Sequence, residues 1–171
     1  MHHMNVEQER SDLAEELDRH GRKVLARLRL CSPGSDARRP VEGGWSQWEL
    51  AAHLAAIEWT LPRLIGMAQT AGAGGGKPAS ATAKSTPLPG GIDAYNKREV
   101  ERRQGQSLEA MIEEFARNRE ATVKAVRAAP AEVLLRSVRS AGGLDGTAAD
   151  VLRRVGIAHA DLHLAELPEL S

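Results

Sequence analysis

Aromatic side chains make up only 3% of this chain, with one Phe, one Tyr and three Trp among 171 residues. Strands draw on aromatic and β-branched residues, so the shortage turns the reading away from sheets. A single cysteine, Cys31, excludes an internal disulfide and makes a reducing cytoplasm the expected compartment. It follows an apolar helical run and precedes a turn, where it reads as a bystander thiol rather than a nucleophile. A bias of charge is also missing: 23 Lys and Arg balance 23 Asp and Glu. That balance argues against a nucleic-acid partner, which selects a basic face. No apolar run approaches the roughly 20 residues of a membrane span, so no membrane partner is expected. No basic start leads into an apolar stretch, so no secretory signal is read. Residues 1–4, MHHM, read as an expression remnant, which sets His2 and His3 aside.

What the chain does have is Ala, Leu, Arg and Glu in quantity, the composition of helices. Its length suits one domain over 1–171 with a core of its own. Leu13, Leu17, Val24 and Leu28 recur at helical spacing and predict a first helix over about 6–30. His20 lies near that stripe and reads as a partly exposed residue. The Pro- and Gly-rich stretch 31–44 is a loop. Ser46 and Glu49 form a capping box that starts a second helix, with Leu50, Leu54, Ile57, Leu61 and Leu64 along its apolar stripe. His53 borders this stripe, and Pro62 predicts a kink or short break because it removes a backbone donor.

Residues 70–91 are small, polar and rich in Gly and Pro, and read as a flexible crossover loop near the mouth of a site. It is no Walker-type phosphate loop, since Lys77 is followed by Pro78. A short helix over 92–103 comes next. Ser107 then caps a longer one to about 128, with Leu108, Met111, Ile112, Phe115, Val123 and Val126 inward. Pro130 opens a helical turn or an irregular stretch, and 141–146 is a glycine-rich loop. Thr147 with Asp150 caps a last helix reaching about Leu167. The sum is an all-α four-helix bundle with a long crossover between helices 2 and 3.

Three histidines carry the candidate chemistry. His159 and His163 are four apart, so both imidazoles share one helix face. Leu152, Val155 and Leu162 fall near that face. Glu166 extends it, and Asp161 points away as a solvated charge. A third imidazole from a neighbouring helix, His53, would complete a set of three ligands with open positions, as in catalytic metal sites. Such an ion lowers the pKa of a bound water or thiol. The spacing by itself leaves purely structural histidines equally open. Trp45, Trp48 and Trp59 either line a pocket or pack as staples near a helix start. Glu58 is placed facing away from the site. Tyr95 and Asn96 are weaker ligand-binding candidates than capping or packing residues. Arg98, Arg102 and Arg103 either meet a substrate carboxylate or coat a solvated face.

Gly44, Trp45 and Ser46, followed by a helix carrying His53 and Leu54, resemble the DinB/YfiT-like superfamily. The stretch from Ile92 to Val126 is similar to that superfamily's third-helix region, shared by its DinB-like and maleylpyruvate-isomerase-like branches. The closing HADLH, 159–163, resembles its last-helix histidine pair. The resemblance runs from about 12 to 167. It implies a four-helix bundle whose His53, His159 and His163 hold zinc or nickel, with iron or manganese as other candidates. The mycothiol-dependent isomerase branch typically has glutamate where this chain has His159. The chain also ends at Ser171, without that enzyme's extra C-terminal domain. The first departure makes the chain resemble the three-histidine branch more, and both weaken a specific isomerase assignment. The implied activity is transfer of a low-molecular-weight thiol, such as bacillithiol or mycothiol, to an electrophilic small molecule, with Glu166 behind the ligands. The rival expectation is a metal- or small-molecule-binding stress-response module without turnover. A homodimer is expected under either.

Overall fold

The computed structural model describes residues 5–30, 44–71 and 90–167. The chain forms α1 (Val6–Leu30), α2 (Gln47–Glu58), α3 (Leu61–Ala71), α4 (Gly91–Glu101) and α5 (Leu108–Ala128). A 3₁₀ turn (Ala131–Leu135) and a hairpin of β1 (Ser137–Arg139) with β2 (Asp145–Thr147) follow. The last helix comes in three parts: α6 (Ala148–Arg153), a π segment (Arg154–Ala158) and α7 (His159–Leu164). Among the described residues the fold is all-α apart from this hairpin. Cys31 and most of the expected crossover lie outside the described residues.

Four helical columns make the bundle: α1, the α2–α3 pair, α5, and α6 through α7. Leu13, Leu17, Val24 and Leu28 of α1 are fully buried. They face Met111, Phe115, Val123 and Val126 of α5 across two contiguous apolar clusters. Helix α2 differs from an amphipathic surface helix. Leu50, Ala51, Ala52, His53, Leu54, Ala55 and Ala56 are all buried, so it is enclosed nearly all round. The break anticipated at Pro62 falls at Trp59–Thr60, and Pro62 sits in the first turn of α3, where a missing amide costs little.

The caps form as read. Ser46 Oγ accepts from the Glu49 amide at 3.2 Å, and Glu49 Oε2 accepts from the Ser46 amide at 2.7 Å. Ser107 Oγ accepts from the Ala110 amide, and Thr147 Oγ1 from the Asp150 amide, each at 3.1 Å. The hairpin is new relative to the expected irregular stretch. Val138 opposite Gly146 gives it one buried apolar anchor, and the Ala148 amide bonds back to Arg136 O at 2.9 Å, tying the hairpin to the start of α6.

The π segment corrects the expected face of the last helix. Buried positions read Leu152, Gly156, Ala160 and Leu164, not 152, 155, 159 and 162. A π turn takes up one extra residue, so every position beyond it shifts by one on the apolar face. Leu162, expected inward, is therefore 69% exposed. His159 and His163 move from the centre of the buried face to its edge, where both are partly exposed.

Candidate metal centre

His53 reaches the site from the enclosed helix α2 and is 2% exposed. His159 and His163 come from α7, one turn apart. The three Nε2 atoms face one another. His53 lies 3.3 Å from His159 and 3.1 Å from His163, and the α7 pair is separated by 3.1 Å. Metal–nitrogen bonds of about 2.0–2.1 Å would set donors roughly 3.3–3.4 Å apart at tetrahedral angles and roughly 2.8–3.0 Å apart at right angles. The observed triangle falls between these limits, so the donor set fits a divalent ion and does not select one geometry. Among the described residues this is the one group of three or more such donors that could hold a metal ion.

The surroundings of His53 and His159 favour their neutral forms. Burial, then the charges of His163 and His159, push the His53 pKa down to about 3. Burial, then the His163 charge, also lowers that of His159, against a smaller opposing pull from Glu166. Ring nitrogens this close need a proton or a cation between them, and the buried setting disfavours the proton. Glu166 Oε1 accepts from Nδ1–H of His163 at 2.9 Å, an arrangement that leaves the lone pair of that ring on Nε2.

Trp45 is the remaining wall. Its ring meets His53 edge-on at 4.4 Å between centroids and lies nearly parallel to His163 at 5.8 Å. The loop residue before the Ser46 cap thus rests on two of the three imidazoles. The other two tryptophans do not join the site. Trp48 is buried with its indole N–H donating to Gln106 O at 2.9 Å, and Trp59 is exposed with Arg63 over its ring. Tyr95 and Asn96 are half-buried on α4. Arg103 holds Glu99 and Glu114, and Arg102 pairs with Glu99, so these two cations are engaged with the protein itself.

His20 is the polar assignment that changes. Glu58, expected to face away from the histidines, is 2% exposed and clasped by Arg119 of α5 through two bonds of 2.8 Å. His20 is buried, with Nε2 3.1 Å from Asp161 Oδ1, and burial lowers its pKa despite that carboxylate. Asp161 also accepts from Lys23 at 2.9 Å. Burial alone would raise the Asp161 carboxyl, but the bonds from Lys23 and His20 hold it below its usual value. Arg119 itself carried no signal in the sequence beyond being a charge on the apolar stripe of α5, between Phe115 and Val123.

The fold and the histidine group define the class: an all-α bundle with three imidazoles from two helices converging at one edge. The DinB superfamily model matches residues 16–167, and the chain belongs to that superfamily. No curated protein and no solved structure matches it. Among the described residues, no helix is long and apolar enough to cross a membrane.

Proposed function

We propose that this protein is a divalent-metal-dependent enzyme that joins a low-molecular-weight thiol, of the bacillithiol or mycothiol type, to an electrophilic small molecule. The observation that carries this reading is the Nε2 triangle of His53, His159 and His163, built from one buried ring and two at the edge of the bundle. These three would hold the ion, with zinc or nickel as first candidates and iron or manganese after them. The bound ion would supply a Lewis acid that lets a thiol, or in a hydrolytic variant a water, lose its proton near neutral pH.

The chain's own residues set up that chemistry. His53 stays neutral because it is buried. Glu166 orients His163 and keeps its Nδ1 proton in place. Trp45 closes one side of the rings against water, while partial exposure of His159 and His163 leaves a way in. We place the protein in the cytoplasm, working as a homodimer on a small-molecule substrate, with no nucleic-acid or membrane partner.

Metal analysis of tag-free protein tests the first half. Near one equivalent of metal, lost in both His53→Ala and His159→Ala, is expected, and full retention in both variants removes the site. A screen of bacillithiol, mycothiol and glutathione against electrophiles tests the second. Metal-dependent conjugation with one thiol is expected. A metal-loaded protein inert with all three leaves the binding module as the better description.

A further inference from the structure

The interior of the bundle holds a second polar cluster, centred on Arg119. This side chain is 4% exposed. Its Nε and Nη2 grip the two oxygens of Glu58, Nη1 donates to Leu17 O at 2.8 Å, and Nη2 also donates to Gly156 O at 2.7 Å. Nη1 lies 3.4 Å from Nδ1 of His20, which passes the chain of contacts on to Asp161. Thr122 adds a hydroxyl bond of 2.9 Å to Glu58. Gly21 makes room for the arginine, since a Cβ there would stand 2.7 Å from its Cγ.

The elements joined this way are those that carry the three histidines. Glu58 is five residues beyond His53 at the end of α2. Gly156 lies in the π segment, three residues before His159, and Asp161 lies between His159 and His163. One guanidinium therefore spans from the helix of the first ring to the turn that sets the register of the other two. A buried ion pair is weak evidence of a stabilising role, because apolar residues of like volume often replace one without loss. Bonds to backbone carbonyls of two other elements serve geometry, and a planar fork of fixed donors suits that task better than a single ammonium.

The geometry points to Arg119 as a positioning residue of the metal centre: it holds α2 against the π segment so that Nε2 of His53 meets those of His159 and His163. This inference rests on the metal reading above. Arg119 touches no histidine of the triangle and acts through the Glu58 carboxylate and the backbone carbonyls of Leu17 and Gly156.

Cobalt(II) is the probe, with three readouts: affinity by chelator competition, the visible ligand-field spectrum, and the urea midpoint of metal-free protein. The double variant Glu58→Leu/Arg119→Met replaces the pair with apolar side chains. It is expected to keep a urea midpoint near that of the parent, to bind cobalt about 10–100-fold more weakly and to show a shifted spectrum. Arg119→Lys should recover part of both cobalt readouts, and Thr122→Val, which leaves the Gly156 contact intact, should match the parent. A folded double variant with parental affinity and spectrum overturns the positioning role while leaving the metal site standing. Should the double variant fail to fold, Arg119→Lys decides by the same two cobalt readouts, with parental values overturning the role. A parent protein that binds no cobalt at all removes the metal reading itself, which is a different result.

Discussion

Oε1 of Glu166 stands 2.9 Å from Nδ1 of His163, three residues earlier on the same helical run. The carboxylate is nearly half exposed, so the bond contributes little to folding. Its consequence is chemical, because it settles which nitrogen of His163 carries the proton. Glu166→Ala should therefore weaken metal binding about 10–100-fold while leaving the unfolding midpoint almost unchanged. Glu166→Gln keeps an oxygen acceptor and should fall between. Competition against a chromophoric chelator measures the effect, and equal affinities in all three proteins would show that His163 needs no such partner.

Acid should destabilise the metal-free protein through its buried histidines. In the unfolded chain His53 takes up a proton near pH 6.5, whereas in the fold its pKa is about 3. The unfolded state thus binds more protons across that window, and stability falls as pH drops from 6.5 toward 3. The slope for this one group is at most about 1.4 kcal/mol per pH unit. His20, whose pKa burial also lowers, adds in the same direction. Urea midpoints of chelated protein at pH 7.5 and 5.0 test this. The difference should shrink in His53→Gln, and an equal difference in the variant would assign the acid sensitivity to other groups.

Glu58 and Arg119 make a sharper prediction about stability than any surface pair in the chain. Glu58→Ala leaves a guanidinium in the core without its counter-charge, which costs about 3–5 kcal/mol. Exposed pairs such as Arg22 with Asp18 should cost under about 1 kcal/mol when broken. Urea denaturation of the metal-free variants separates the two, and a Glu58→Ala loss no larger than that of Asp18→Ala would show that water reaches Arg119.

The contrast between these residues shows what could be read in advance. Ser46, Ser107 and Thr147 were legible because a cap is a local event, settled within a turn by one oxygen and one amide. The pairing of His159 with His163 followed from the helical repeat, and the superfamily resemblance brought His53 to them. The burial of Glu58 had no signal, because it depends on Arg119, 61 residues away, and no local pattern announces that partner. His20, expected to be partly exposed, was misread for the same reason, since its partner Asp161 is 141 residues away. Leu162 failed differently: the π segment inserts one residue into the helical count, and a constant 100° per residue cannot register it. The elements and the grouping of the three histidines were thus open to pattern and resemblance, while the polar interior that ties them together was not.

Trp45 offers an optical reading of the site. Its ring centroid is 4.4 Å from that of His53 and 5.8 Å from that of His163, whereas Trp48 is engaged with Gln106 and Trp59 lies exposed under Arg63. A paramagnetic ion held by the triangle would sit within a few ångströms of the Trp45 ring and quench its emission. Copper(II) or cobalt(II) should therefore remove a fraction of the tryptophan fluorescence, saturating at one equivalent. Zinc, which has no unpaired electrons, should bind at the same sites with a much smaller change. In Trp45→Phe the quenching should be largely lost, although the metal still binds by chelator competition, because phenylalanine keeps an aromatic wall without the indole emitter. Quenching that persists undiminished in Trp45→Phe would show that the bound ion does not sit against the Trp45 ring, and would count against a site at His53, His159 and His163.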